Sequence, residues 1–321
     1  MKMPTISIVF CCALLASHTI LAYSPATPSF PQGPFSRSLF LTSPPMQGSD
    51  VYILQRIIPR ALDVLPVPPQ VPTSGTFDNA TALAVAAFQR LYFHPPTGNL
   101  DPTTAKVLLQ ECSDDGYKED YAPARAYGAQ YRYKVVVPVY RNRSIETTGS
   151  LFDENGTLLL NFTAHAHGHD PNSSNPWPDY DSYGDGLSLF ASDGNTPTGL
   201  MEFDLNTPED DPKLYGPYPI NRVVSGLKGN AEIVLAQSPA STHFIRSGIL
   251  LHTGEWPGWV APMRMPISAG CIHSWPQSID AIQQILQNRL GVVAHQNTNG
   301  AVAYPYTPQG LLSVYQVDSK K

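Results

Sequence analysis

The stretch Met265–Gln277 reads "MPISAGCIHSWPQ". Cys271 follows a glycine, with Ser268 three places before it and His273 two places after it. Taken alone, the stretch admits four readings of Cys271: nucleophile, metal ligand, half of a disulfide, or small buried hydrophobe. A thiol attacks a carbonyl as the thiolate, so it needs a nearby base or a positive dipole. It also needs backbone N–H groups aimed at the oxygen that turns negative. Gly270 lets the chain turn tightly, and a helix starting near Pro276 presents its positive end a few residues on. The Gly270 and Cys271 amides are therefore candidate oxyanion donors.

The base must come from elsewhere in the chain. "GILLHTG", Gly248–Gly254, reads as a strand ending on His252, and fifteen residues separate His252 from Ser268. Upstream, "ASDGNTPTGLMEF" holds the "TPTG" of Thr196–Gly199 before a strand pattern. These three motifs, in this order, resemble the L,D-transpeptidase catalytic domain of YkuD type, from about Tyr133 to the C-terminal region. The resemblance implies Cys271 as nucleophile, His252 as general base and the Thr253 carbonyl as the group that orients the imidazole. It implies a turn shaped by Ser268 and Gly270, an oxyanion held by the Gly270 and Cys271 amides, and chemistry with no metal and no cofactor.

Two positions depart from the family pattern. Ala269 stands where many members carry histidine, and His273 where they carry Arg or Asn. Ser268, His273, Trp256 and Trp259 form the expected substrate-binding set. An Arg at 273 would hold a carboxylate by a permanent two-pronged contact. A histidine is charged only near or below a pKa of about 6.5, so its grip would be favoured by acid. The two tryptophans of "EWPGW" suit either a stacking groove or a cap on the core. A rival constellation is "HAHGHD", His165–Asp170. Alternating histidines on a strand share a face and suit a metal; the bland reading is a set of solvent-facing or cleft-lining rings, and no metal site is assigned.

Ahead of this region the period is helical. "SDVYILQRII" follows the cap candidates Ser49 and Asp50, and "NATALAVAAFQRLYF" places Leu83, Val85, Ala86, Phe88 and Leu91 at helical spacing. "DPTTAKVLLQEC" is a third helix with Pro102 in its first turn. "GTFDNAT" at Gly75 and "GNLDPTT" at Gly98 form an internal repeat: a glycine turn, an apolar residue, then an Asp able to cap the next helix. From Ser38 to Cys112 this resembles the three-helix peptidoglycan-binding domain, with an enlarged Pro-rich loop between Ile58 and Gly75.

The expected organisation is a signal peptide at 1–22, a Pro/Ser-rich leader at 23–37, a peptidoglycan-binding-like domain at 38–113, a polar linker at 114–130, and a catalytic domain at 131–321. The fold class is α+β multidomain: a small three-helix domain followed by a mainly β one. Expected strands include "YRYKVVVPVY", a hairpin around Asn155-Gly156, "TGLMEFDL", "AEIVLAQ" and "SGILLHTG", with one late helix in "QSIDAIQQILQNRL".

Composition bounds the partners. The 321 residues carry net charge −6, 42% hydrophobic and 14% charged residues, as in a globular protein without the basic excess that nucleic acid requires. Lys2 and the apolar run "ISIVFCCALLASHTILA" read as a secretory signal, and no second run of spanning length follows. Sequons at Asn79, Asn142, Asn155, Asn161 and Asn172 suit a secreted glycoprotein. Cys112 and Cys271 alone remain outside the signal, which excludes a disulfide-rich scaffold. The expected product is a secreted monomer acting on peptidoglycan, as transpeptidase or as L,D-carboxypeptidase, or else a wall-binding protein whose site has drifted out of use.

Overall fold

A computed structural model describes residues 34–168, 189–190, 194–235, 246–256, 260, 263–298 and 304–318. The chain forms a three-helix domain packed on an eight-stranded, barrel-like sheet.

The helices are α1 (Ser49–Ala61), α2 (Asn79–Leu91) and α3 (Pro102–Cys112). Asp78 caps α2 by accepting from Thr81 N at 2.8 Å, and Asp101 caps α3 by accepting from Thr104 N at 2.7 Å. The repeat thus does what its spacing predicts. The α1 start differs: Gly48 takes the cap position without a side-chain cap, and Asp50 pairs with Arg37 at 2.7 Å. Val85, Phe88, Ile53, Leu54, Ile57 and Leu108 are buried together, while Leu83 faces solvent. Phe35, just before the expected start at Ser38, is also buried.

Each repeat is latched by a glutamine of the preceding helix. Gln55 donates to Thr76 O and Thr81 Oγ1 at 2.9 Å and accepts from Gly75 N at 2.8 Å. Gln89 donates to Asn99 O at 2.9 Å and Thr104 Oγ1 at 3.1 Å and accepts from Gly98 N at 2.9 Å. Gly75 and Gly98 adopt φ of 73° and 74°, a region that L side chains resist. The buried amides hold the two glycine turns against the helices they precede.

The sheet comprises β1 (Tyr133–Val139), β2 (Thr147–Asp153), β3 (Leu158–Ala164), β4 (Gly199–Asn206), β5 (Ile220–Gly226), β6 (Leu250–His252), β7 (Ile272–His273) and β8 (Gly310–Gln316). Its order is β3-β2-β1-β8-β4-β5-β6-β7. His165, just past β3, exchanges backbone hydrogen bonds with His273 at 3.0 and 2.9 Å, so the first and last strands meet. Alternation along each strand sends Phe203, Leu205, Val223, Leu251, Ile272, Leu312 and Val314 into the core. The opposite face carries Arg222, Leu250, His252, Cys271 and His273. The short helix α4 (Pro212–Tyr215) lies before β5, and α6 (Pro276–Gln284) follows β7 and continues as a π-helical turn to Arg289.

Three expectations change here. "AEIVLAQ" is not a strand: Gly229–Val234 forms helix α5, whose Asn230 N–H is capped by Asp115 at 2.6 Å and whose Ala231 N–H bonds Thr198 O. β5 and β8 are additional strands, and β8 is central, parallel to β1 and antiparallel to β4. The 114–130 segment is a packed strap, since Tyr117 and Tyr127 cover Leu200 and Leu311 and Lys134 pairs with buried Glu119 at 2.5 Å.

The strap also fastens the two domains together. Asp115 accepts from Thr198 Oγ1 at 2.8 Å, and Asn230 Nδ2 donates to Cys112 O and Ser113 O at the end of α3. Arg60 of α1 donates to Asn230 Oδ1 at 2.6 Å and to Gly229 O at 2.9 Å.

Gln89→Ala is expected to destabilise the protein by about 2–3 kcal/mol in denaturant titration, because several buried partners lose their hydrogen bonds together. Leu83→Ala, at an exposed position, should change stability by less than about 0.5 kcal/mol.

Candidate active site

The site is built by β6 and β7. They pair in parallel, Leu251 with Ile272 and His252 with His273. Paired residues share a face, so His252, His273 and Cys271 project together while Leu251 and Ile272 enter the core. Cys271 lies diagonally across from His252, a separation of about 7–8 Å between backbones that a histidine side chain can span.

His252 Nδ1 lies 2.7 Å from the Thr253 carbonyl. This contact fixes the tautomer with hydrogen on Nδ1 and leaves Nε2 as the basic nitrogen. Burial pushes the imidazole down to about 4, partly opposed by that carbonyl. His252 is therefore a neutral ring near pH 7, able to accept a proton. Tyr215 of α4 packs beside it, with ring centroids 5.1 Å apart.

Cys271 is 8% exposed and packs on Ile220, Leu250 and Tyr215. Its Sγ contacts the Gly248 carbonyl at 3.4 Å. Burial pushes the thiol up to about 11, against the lowering effects of the Leu250 N–H and of the Arg246 and Arg222 charges. The resting pair is thus thiol and neutral imidazole, not an ion pair. Cys112 lies in the helical core with its Sγ on Ile57 O.

The turn before Cys271 is organised by Ser268. Its hydroxyl lies 2.9 Å from His167 O and 2.7 Å from Cys271 O, and accepts from Gly270 N at 3.0 Å. Ser268, expected among substrate-binding residues, spends its hydroxyl on the chain itself. The Gly270 amide, expected as an oxyanion donor, is taken by the same oxygen. The Cys271 N–H is the donor left by that expectation. Gly270 has φ of 102°, and a Cβ there would sit 1.9 Å from Arg246 Nη2. Only glycine fits.

His273 is also placed differently from expectation. It is 4% exposed, its Nδ1 lies 2.9 Å from the Pro266 carbonyl, and its ring meets His252 edge-on at 4.7 Å. Burial, with His252 beside it, pushes its pKa well below the usual histidine value. A neutral, packed ring does not grip a carboxylate by charge; it braces His252. Trp256 covers the other side of His273 at 4.7 Å, half-buried. Trp259 lies outside the described residues. Ala269 contributes its carbonyl, 3.4 Å from Arg246 Nη2.

The histidine run resolves into backbone contacts. His165 Nδ1 lies 3.1 Å from the same Pro266 carbonyl that His273 uses, and His167 Nδ1 lies 2.5 Å from Gly168 O. Burial depresses His165 to about 3 and lowers His167 as well. Among the described residues no group of three or more His, Cys, Asp or Glu side chains converges as a metal site. His169 and Asp170 lie outside the described residues.

Sequence reasoning missed two arginines near the thiol. Arg222 of β5 is bound by Glu209, by Asn206 Oδ1 at 3.2 Å and by Asn297 Oδ1 at 2.9 Å. Arg246, just before β6, is 3% exposed and holds four backbone carbonyls. No motif marks either, because their partners come from distant segments.

Residues 47–108 match the family profile described as "Putative peptidoglycan binding domain", a span holding α1, α2 and most of α3. No curated protein matches the chain. Among solved structures, the chain is similar to the L,D-transpeptidase (residues 123–326) from Xylanimonas cellulosilytica DSM 15894. The identity is 14%, the TM-score 0.26, and the match covers 91% of this chain and 100% of that one. It is also similar to an L,D-transpeptidase (Yku) from Stackebrandtia nassauensis, at 13% identity and TM-score 0.29, covering 84% of this chain and 92% of that one. A fused Zn-dependent amidase/peptidase/peptidoglycan-binding domain-containing protein from Clostridium acetobutylicum ATCC 824 matches at 13% identity and TM-score 0.24, covering 87% and 99%. The class defined by fold and family match is a three-helix peptidoglycan-binding domain joined to a mostly β, barrel-like domain.

The depressed histidines set a pH window for stability. An unfolded histidine titrates near 6.5, so the unfolded chain binds more protons below that pH and stability falls on acidification. Unfolding free energy is expected to drop by up to about 1.4 kcal/mol per pH unit for each buried histidine as pH falls from about 6.5 toward 4, and the melting temperature should fall with it. A flat melting temperature from pH 7 to 5 would contradict the buried neutral rings.

Proposed function

We propose that the chain is a secreted cysteine acyltransferase acting on peptidoglycan stem peptides. The observation that carries this reading is the shared face of β6 and β7, with Cys271 diagonal to a histidine whose Nδ1 is pinned by the Thr253 carbonyl. The peptidoglycan-binding match at 47–108 supports the substrate class.

In this reading the bond attacked is the amide between the L-centre of the third stem residue and the terminal D-alanine. Cys271 Sγ leaves the Gly248 carbonyl and gives its proton to His252 Nε2 as it attacks the carbonyl carbon. With the thiol near 11 and the imidazole near 4, that transfer is uphill at rest. Proton transfer concerted with S–C bond formation therefore suits the site better than a standing thiolate. The Cys271 N–H faces the developing oxyanion. The C–N bond breaks, D-alanine departs with the proton from His252, and a thioester remains. An amine of a neighbouring stem then attacks, forming a crosslink and restoring the thiol. Water in the same role gives L,D-carboxypeptidase trimming. No step calls for a metal or a cofactor. The hydrogen-bonded join between the domains would hold the site near bound wall and raise the local substrate concentration.

A second reading has its own support. The thiol is protonated and little exposed, and the Gly270 amide is occupied by Ser268. These features fit a wall-binding protein with a silent site. Among the described residues no helix is long and apolar enough to cross a membrane.

Incubation with purified sacculi, followed by mass spectrometry of the muropeptides, decides between the readings. The enzyme reading predicts loss of D-alanine from tetrapeptide stems, with or without new crosslinks. Cys271→Ala should abolish the change, and His252→Ala should slow it by about 100-fold or more. Unaltered muropeptides with sacculi still bound would establish the silent reading.

A further inference from the structure

Arg246 is a buried cation that touches the Cys271 turn. Its Nη1 donates to Leu189 O at 2.6 Å and to Asn195 O at 2.5 Å. Its Nη2 donates to Gly194 O at 2.9 Å and, more loosely, to Ala269 O at 3.4 Å. One planar fork therefore ties the loop before β4 to the loop before β7. Thr196 Oγ1 adds a second tie, donating to Gly270 O at 2.8 Å. The absent side chain of Gly270 is the space that the guanidinium fills.

We propose that Arg246 is the positioning residue of the nucleophile, a fixed positive charge whose fork holds the Ser268–Cys271 turn against the loop before β4. The inference rests on Cys271 being the reactive group of the proposed function. It explains how the site manages with His273, a neutral ring, at the position where the related pattern has a cation or an amide. The charge comes from another segment and acts through the turn. Lysine cannot replace it, since a point charge does not reach carbonyls on two loops at once. The charged and titratable groups around the thiol are Arg246, Arg222, Glu209, Tyr215 and His252. Among them Arg246 alone bonds the turn that carries Cys271.

Two readouts need no peptidoglycan. The first is iodoacetamide labelling of Cys271 against pH, followed by peptide mass mapping. The second is amide hydrogen exchange over residues 265–275. Arg246→Met should move the labelling curve upward by about one pH unit. It should also speed exchange at the turn by about tenfold. Arg246→Lys should leave the labelling curve near the wild-type position yet still speed exchange. On sacculi, both variants should lose turnover by about 100-fold with KM nearly unchanged. A folded Arg246→Met with an unmoved labelling curve and unchanged exchange overturns the proposal. If Arg246→Met does not fold, Arg246→Lys decides: wild-type exchange at the turn overturns it, and faster exchange supports it. Wild-type protein that leaves sacculi unaltered removes the enzymatic reading, while labelling and exchange still report on Arg246.

Discussion

The parallel pairing of β6 with β7 is the constraint on which the site depends. β7 is two residues long and could not hold itself in place. It is held from both sides, by β6 through Leu251 and His252 and by His165 through paired backbone hydrogen bonds. That double contact brings the end of β3 against the last strand and sets the face on which Cys271, His252 and His273 project. A slip of one residue would turn Cys271 into the core and expose Ile272.

Around this pairing the structure stores its polar groups in backbone contacts. The Pro266 carbonyl serves His165 and His273 together, Thr253 serves His252, and Ser268 closes the turn. Each contact fixes a ring or a turn at little cost in mobile side-chain freedom. Deep burial makes the histidines neutral and the thiol reluctant to ionise. Chemistry at this site then hinges on moving one proton between two buried groups. In the proposed reaction the substrate carbonyl accepts the sulfur as the proton leaves, so an S–C bond forms in place of a bare buried thiolate.

Much of this was legible in the chain itself, where the interactions are local. The Asp caps at 78 and 101, the Asn155-Gly156 turn, with Gly156 at φ of 85°, and the strand ending on His252 each lie within a few residues of what they control. What escaped reading is tertiary. Gln55 and Gln89 look like ordinary helix residues until their glycine turns fold back on them. β5 carries Asn221 and Arg222 near its start, whose partners Tyr133, Asn206 and Asn297 are distant in sequence. α5 has a strand-like composition and becomes a helix because Asp115 and Thr198 meet its first turn. His273 follows the same rule: its type suggested a titrating grip, and its neighbours Trp256, His252 and Pro266 make it a packed support.

The domain join carries the same lesson into function. Asn230 touches α1, α3 and the Thr198 stretch, and that stretch reaches Gly270 through Thr196. The three helices and the Cys271 turn are thus parts of one packed structure. The central claim, that Cys271 is a nucleophile served by His252, is tested most directly by intact-protein mass spectrometry after exposure to a carbapenem. The account predicts a single covalent adduct on Cys271, absent in Cys271→Ala and formed far more slowly in His252→Ala. No adduct on folded protein, or equal rates with and without His252, would contradict it.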